Sequence, residues 1–350
     1  MYLRVWWLSP GVQQRGSVSR QSIVAPPWRA RVTPLRHRAP AMSAPWRGAA
    51  TMPDAAGTGG HVPVLPEAVV EYLAPRPGAV IVDATVGLGG HSAQLLPLVG
   101  GTGRVIGLDQ DPEALRAAAA RLGSHPALTL HQANFRALPS VLQALGLEAI
   151  DGLLVDLGVS SLQLETPARG FSFQVDGPLD MRMDPRHATT AAHLVRDLSE
   201  RELADCFFEL GEERHARRIA RAIVGARRVA PITTTTRLAD IIERAVPRRG
   251  ARLHPATRVF QALRLAVNRE LDALEQLLQA APACVRPGGR IVVIAFHSLE
   301  DRPVKRAFRA WAVAGAWRLL TKKPVRPSAE EIGANPRARS ARLRAVMRVA

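Results

Sequence analysis

The sequence predicts an α/β protein of the Rossmann type, a parallel sheet flanked by helices, with a basic helical segment inserted before the sheet is complete. Three observations lead there. Short β-branched apolar runs repeatedly reach a carboxylate near their end, as in Ala79-Val-Ile-Val-Asp-Ala84, Arg104-Val-Ile-Gly-Leu-Asp109 and Ile150-Asp-Gly-Leu-Leu-Val-Asp156. A glycine-rich turn, Gly87-Leu-Gly89-Gly90, follows the first run where a helix begins. Between Arg214 and Arg269 the chain carries 14 Arg against two acids, Asp240 and Glu243, so one segment is far more basic than its surroundings.

The chain has 350 residues, enough for more than one core, and its 47% apolar content excludes a wholly disordered or collagen-like molecule. Nothing approaches the ~18 consecutive apolar residues of a membrane span, so no membrane partner is expected. Cys206 and Cys284 lie far apart without a CxxC partner, which argues against a disulfide scaffold and a structural zinc site. The net charge of +17 points to a polyanionic partner.

Residues 1–51 hold eight Arg, no Asp or Glu and four of the six Trp, with Pro scattered throughout, a composition that cannot easily build a core. They read either as an Arg-rich transit peptide, which implies a mitochondrial protein, or as a stretch upstream of the true start. Met42 and Met52 both offer later starts, and 44 Arg against three Lys is a bias typical of GC-rich coding sequence. The second reading implies a bacterial, cytoplasmic protein. In either case residues 1–51 stand outside the fold.

The ordered pattern begins near His61. A short helix, Pro66 to Leu73, leads to the strand 79–84, the glycine turn and a helix through Leu98. Glycines let the backbone approach a ligand, and the helix N-terminus faces it. The second strand ends in Asp109, 20 residues after Gly89, where a carboxylate can accept hydrogen bonds from both hydroxyls of a ribose. A third glycine at position 92 would complete the dinucleotide fingerprint, but Ser92 stands there. A mononucleoside cofactor without phosphates, S-adenosylmethionine, therefore fits better than NAD. The helix Pro112 to Leu122, the strand Leu128 to His131 and Asn134-Phe135 follow. Phe135 either lines an adenine pocket or is ordinary core.

The strand 150–156 ends in Asp156, and ligands of open α/β sheets bind outside the carboxyl ends of the strands, so Asp109 and Asp156 face one crevice. Beyond it come Leu157-Gly-Val-Ser-Ser-Leu-Gln163, Arg169-Gly-Phe-Ser-Phe173, Asp176-Gly-Pro-Leu-Asp-Met-Arg-Met-Asp184, Gly211-Glu-Glu-Arg214, His254-Pro-Ala-Thr-Arg258, Phe296-His-Ser-Leu-Glu-Asp301 and Asn335-Pro-Arg-Ala-Arg-Ser340. In this order the motifs resemble the family of small-subunit (16S) ribosomal RNA methyltransferases that methylate N4 of a cytidine in the decoding region. The resemblance runs from about His61 to the C-terminus.

The resemblance implies S-adenosylmethionine contacts at Gly89, Gly90, His91, Asp109, Phe135, Asp156 and Gln163; Gln163 has no separate support in the residues. It also implies a class I methyltransferase domain of Rossmann type, residues 61–164 and 271–350, interrupted by a helical substrate domain, residues 165–270. The target it implies is cytidine 1402, and the partner is 16S rRNA or the small ribosomal subunit.

The inserted segment has its own support. Arg214, Arg217, Arg218 and Arg221 recur at helical spacing and form a ridge that would neutralise RNA phosphates. A solvated helix face is the alternative, but such faces usually mix signs. A single helix is expected from Thr257 to Leu274, with Val259, Phe260, Leu263, Val267, Leu271 and Leu274 on one arc. Its other arc, Arg258, Gln261, Arg264 and Asn268, faces RNA or the crevice. After the insertion the sheet resumes at Pro287 to Phe296, with His297 near the crevice as a catalytic or, more commonly, structural histidine. Alternation from Ala341 to Val349 suits a last strand with one face more exposed.

The exocyclic amine of cytosine is a poor nucleophile because its lone pair is delocalised into the ring. An enzyme must align it and offer an acceptor for the proton it loses. Asp156 is the candidate, as orienting acceptor or as cofactor ligand alone, with Ser160 and Ser161 shaping the turn. Methylation at C5 would need a nucleophilic Cys, and neither Cys206 nor Cys284 is placed for it. In place of the Asp/Asn-Pro-Pro-aromatic motif of many amino-methyltransferases stands Asp156-Leu-Gly-Val. Base stacking would fall to Phe171 or Phe173, which otherwise pack the domain junction. Asp180 and Asp184 flank Arg182 as an ion-pair cluster, and no metal is expected. An NAD-dependent oxidoreductase would leave the missing glycine and the basic insert unexplained; a noncatalytic RNA-binding protein would explain only the insert.

Overall fold

The computed structural model describes residues 63–246 and 253–349. The expectations for residues 1–51 and for His61, and the arginines Arg248, Arg249 and Arg252, lie outside the described residues. Helix α1 (Pro66–Leu73) leads into β1 (Val80–Asp83), α2 (Gly90–Val99), β2 (Arg104–Asp109), α3 (Pro112–Leu122), β3 (Leu128–Gln132), α4 (Leu138–Ala144) and β4 (Ile150–Asp156). Helices α5 (Ser161–Glu165), α6 (Ala191–Asp197), α7 (Glu200–Gly211), α8 (Ala216–Val229), α9 (Thr235–Ala245) and α10 (Ala256–Asn268) follow. The chain then returns through α11 (Glu270–Cys284), β5 (Val285–Ala295), α12 (Ser298–Val313), β6 (Trp317–Leu319), α13 (Ala329–Ala334) and β7 (Arg342–Arg348).

The strands form one seven-stranded sheet in the order β3-β2-β1-β4-β5-β7-β6. β1 to β5 run parallel, and β7 is antiparallel to both β5 and β6. Strand order reverses between β1 and β4, the switch point at which ligand crevices open in such sheets. Alternation along each strand divides the core. Ile81, Val105, Leu154 and Val292 meet α1 and α2 through Val69, Leu73, Leu95 and Val99. Val82, Ile106, Leu153 and Val293 meet α4, α11 and α12 through Leu142, Leu274, Leu277 and Phe308. Both faces are covered, which is why these strands read as continuous apolar runs.

Two elements differ from the sequence expectation. The periodic helix 257–274 is two helices: Arg269 adopts a left-handed conformation (φ 50°), capping α10 and opening α11. Because α11 starts at once, the apolar period survives the break. The last strand, expected to carry an exposed face, lies inside the sheet with Leu343, Arg344, Ala345 and Val346 all buried. Arg344 is tolerated there because Asp301 of α12 takes its guanidinium with two bonds of 2.6 and 3.0 Å.

Helices α6 to α10 pack on one another: α7 lies against α8 and α10, α9 against α8, and α6 against α10. In α8, Ile219, Ala220 and Ile223 are buried while Arg217, Arg218 and Arg221 stand exposed, so the arginine ridge is its outer face.

Candidate cofactor cleft and active site

A cleft of about 350 Å³ opens at the carboxyl ends of β1, β2 and β4. Of the seven residues expected to hold the cofactor, Gly90, His91, Asp109, Phe135, Asp156 and Gln163 line it. The seventh, Gly89, caps the N-terminus of α2 just behind, at φ 78°. A side chain there would be strained, and its Cβ would lie 2.9 Å from Leu122. A Cβ on Gly90 would press on Pro63 at 3.2 Å, so the narrow turn is kept open by glycine.

Asp109 accepts from the Gly87 N–H at 3.0 Å through one oxygen and from the Asp111 N–H at 2.9 Å through the other. Each carboxylate oxygen keeps a further lone pair for a ribose hydroxyl. Burial pushes the Asp109 carboxyl up to about 6, although those two amides oppose the shift. Asp111 is the N-cap of α3, and its second oxygen receives Gln163 Nε2 at 2.8 Å and Arg169 Nη1 at 2.7 Å. Gln163 also accepts from the Ser160 N–H at 3.0 Å, completing a capping box on α5. Its amide thus ties the turn after β4 to the turn after β2. Sequence offered no independent reason for Gln163, because its partner lies 52 positions away. Beyond Asp109, Gln110, Asn134, Phe135 and Met183 form the next wall. Asn134 Nδ2 donates to Gln110 Oε1 at 2.8 Å, and Gln110 Nε2 reaches Met183 Sδ at 2.9 Å.

Asp156 holds its backbone through a bond from its N–H to Thr85 Oγ1 of 2.7 Å, while its Oδ1 is buried without a hydrogen-bond partner. His91 Nε2 lies 3.5 Å from Asp156 Oδ2, and neither ring nitrogen is hydrogen-bonded among the described residues. Burial opposes a charge on His91, but the carboxylates of Asp156 and Asp83 outweigh it and raise the imidazole above its ordinary range. Asp83, the carboxylate at the end of β1, sits fully buried behind His91. It accepts from Ser92 Oγ at 2.7 Å, and burial raises its carboxyl despite His91.

The opposite wall is a buried ion cluster. Arg264 grips Glu270 with bonds of 2.9 and 3.1 Å, and Glu300 Oε1 lies 3.8 Å from Arg264 and 3.0 Å from His297 Nε2. Glu300 Oε2 accepts from the Phe296 N–H at 2.8 Å. Burial raises Glu270, whereas for Glu300 the His297 bond and the Arg264 charge overcome burial and hold it below the usual carboxylate range. Glu270 and Glu300 went unnoticed in the sequence because they matter only through this cluster. The same holds for Arg337, whose guanidinium lines the cleft and donates to Ser161 Oγ and, at 2.8 Å, to Glu165. His297 takes its structural alternative, at the N-cap of α12.

The candidate RNA residues separate. Arg214, Arg217, Arg218 and Arg221 are exposed, Arg221 beside Glu200 at 3.3 Å. Arg258 is exposed and donates to the Glu212 carbonyl at 3.1 Å. Arg264 takes the crevice alternative. Asn268 is corrected: only 3% exposed, it accepts from the Met183 N–H at 2.7 Å and donates to the Met181 carbonyl at 2.8 Å, so no RNA surface is available to it. Phe171 is buried with the Arg169 guanidinium 5.9 Å from its ring centre, and Phe173 packs 4.8 Å from both His254 and Phe260. Neither ring lines the cleft, which is the packing alternative. Asp180 pairs with Arg182 and Asp184 with Arg186, each at 2.7 Å. Among the described residues no group of three His, Cys, Asp or Glu is placed to hold a metal.

These residues fit S-adenosylmethionine. A carboxylate stands where ribose hydroxyls need acceptors, the turn over α2 has room for a ligand chain, and buried polar atoms of His91 and Asp156 lack partners. Comparison with known proteins agrees with this geometry. Residues 58–349 match the model of the MraW methylase family. A "Ribosomal RNA small subunit methyltransferase H" of Acidobacterium capsulatum is 50% identical over 294 residues, covering 81% of this chain and 97% of its own. Proteins of the same name from Cyanothece sp. and Thermomicrobium roseum are 52% and 51% identical, covering 83% of this chain in each case and 95% and 94% of theirs. From the cleft and from these matches together, the chain belongs to the MraW methylase family and is a methyltransferase that uses S-adenosylmethionine.

Proposed function

We propose that the protein methylates N4 of a cytidine in the decoding region of 16S rRNA, by resemblance cytidine 1402, with residues 165–270 as an inserted RNA-binding domain. The relatives' printed name supports small-subunit rRNA as the substrate. One observation favours the amine: the buried, unpartnered Oδ1 of Asp156 at the cleft wall. An exocyclic amine brings two polar hydrogens that an acceptor of this kind orients; the hydrogen on a ring carbon is not such a donor.

When bound, S-adenosylmethionine supplies an electrophilic methyl group. Asp156 Oδ1 accepts a hydrogen bond from N4, orients the nitrogen lone pair and receives the proton released as the new C–N bond forms. His91, 3.5 Å from the other oxygen, stabilises the carboxylate until then. The buried Arg264–Glu270–Glu300 cluster fixes the facing wall. C5 chemistry is disfavoured because neither Cys lines the cleft: Cys206 is sealed within α7, its thiol pushed by burial up to about 12. The bacterial relatives support a cytoplasmic site of action, and a mitochondrial one has no support among them.

The test is methylation of small-subunit rRNA in vitro, followed by nucleoside mass spectrometry and mapping. The expected product is N4-methylcytidine at position 1402. Methylation only at C5, or on another base, would overturn the proposal.

A further inference from the structure

Basic residues are concentrated in a second region, outside the insert. Residues 302–348 carry 13 Lys and Arg against two acids, Glu330 and Glu331. All three lysines of this arginine-dominated chain lie here: Lys305, Lys322 and Lys323. Lys305 and Arg309 of α12 and Lys322 after β6 converge on one shallow pocket, with Thr321, Phe308 and Arg344 in its lining. Among the described residues none of the three has a carboxylate within salt-bridge reach. The one acid beneath them, Asp301, is already taken by Arg344, with Arg342 at 3.7 Å. The Thr321 hydroxyl accepts from the Ala345 N–H at 3.0 Å and keeps its own hydrogen to donate.

The patch is continuous with the cleft and with the arginine ridge. Along α12, Lys305 and Arg309 stand about 7.5 and 13.5 Å from Glu300 at the cleft wall. At the start of α12, Ser298 Oγ donates to Glu212 at 2.7 Å and Arg302 reaches the same carboxylate at 3.4 Å. Glu212 directly follows α7, and the ridge begins two residues later at Arg214. Exposed Arg302 and Arg306 bridge the two. A polyanion leaving the ridge therefore passes the single carboxylate of Glu212, itself held by Arg302, and meets further basic side chains along α12. Lysines suit this end because an ammonium is a point charge that satisfies a phosphate from many angles, whereas guanidinium prefers fixed bidentate geometry.

We propose that the pocket formed by Lys305, Arg309 and Lys322 binds the phosphodiester backbone of the substrate RNA flanking the target nucleotide. This rests on the reading of the protein as an rRNA methyltransferase. It adds a second anchor, on the sheet-bearing part of the molecule rather than on the inserted helices. Two separate anchors fix the direction in which the strand runs, which one ridge cannot do.

The test uses the full chain with Lys305→Gln, Arg309→Gln and Lys322→Gln combined, and Arg76→Gln with Arg104→Gln, at the opposite end of the sheet, as the control. RNA affinity is measured across a salt series, together with KM for RNA, kcat, S-adenosylmethionine affinity and melting temperature. The triple variant is expected to lose about 2 to 3 from the slope of log affinity against log salt. Its KM should rise about tenfold or more, with kcat and cofactor affinity unchanged and the control behaving like the parent. Should the triple variant not fold, Lys322→Gln alone, at an exposed side chain, should lose about one unit of slope. An unchanged slope and KM in a folded variant, or an equal loss in the control, overturns the second anchor while parental methylation still stands. A parent that methylates no RNA overturns the underlying function instead.

Discussion

Replacing Asn268 with Ala distinguishes its clamp role from the RNA contact that its place on the polar arc of α10 first suggested. The buried amide serves the backbone of the loop before α6, accepting from the Met183 N–H and donating to the Met181 carbonyl. Met181 is held there in a left-handed conformation at φ 63°, unusual for a side chain with a Cβ. Removing the amide leaves one buried donor and one buried acceptor unsatisfied, about 1–3 kcal/mol each. Relaxation of Met181 returns about 1 kcal/mol. The net loss is therefore about 1–5 kcal/mol, a fall of roughly 2–8 °C in melting temperature for a protein of this size. Because Met183 lines the cleft and supports Gln110, cofactor affinity should fall about tenfold at the same time. Thermal and denaturant unfolding, with titration of S-adenosylmethionine, reads both effects. A variant within 0.5 kcal/mol of the parent that binds cofactor normally but RNA weakly would refute the clamp and restore the RNA contact.

Asp109 gives a pH dependence. Its ionised form is the better acceptor for ribose hydroxyls, and its free-state pKa is about 6, so cofactor affinity should be level above pH 7 and weaken by up to tenfold per unit below 6; a flat calorimetric profile from pH 5 to 8 would exclude the acceptor role. Asp156→Asn preserves shape but replaces the free carboxylate oxygen, and kcat should fall about 100-fold or more. Single-turnover rates equal to the parent's would remove Asp156 from the chemistry. Arg344→Met should destabilise the protein by about 3 kcal/mol, because Asp301 keeps only Arg342, at 3.7 Å. Urea unfolding checks it, and a loss under 1 kcal/mol would mean that Arg342 moves in to replace it.

What could be read in the sequence was local. The strand ends at Asp109 and Asp156, the glycine turn and the start of α3 each follow from a few adjacent residues, and the structure places all of them as expected. The break at Arg269 was hidden because the apolar period continues in phase across it. Residue 344 is an arginine, which reads as surface; only its partner Asp301, 43 positions earlier, makes it interior. The far wall of the cleft was illegible for the same reason. Arg264 showed only that it faced RNA or the crevice, Glu270 and Glu300 are unremarkable charges until α10, α11 and α12 bring the three together, and Arg337 meets Glu165 across 172 positions.

The interior position of β7 also governs how this protein should fail. The sheet's outermost strands are short, five residues in β3 and three in β6, which offers little template for another chain. β5 is different: its Ile291-Val-Val-Ile294 stretch is apolar, β-branched and uncharged, and β7 alone covers that side of it. Loss of β7 would bare a segment well suited to cross-molecular strand pairing, and would also free Arg337, just before it, from the cleft wall. Heat or long storage should therefore produce aggregates that seed through β5 from molecules whose cofactor cleft is already weakened, and the Arg344–Asp301 pair sets the pace.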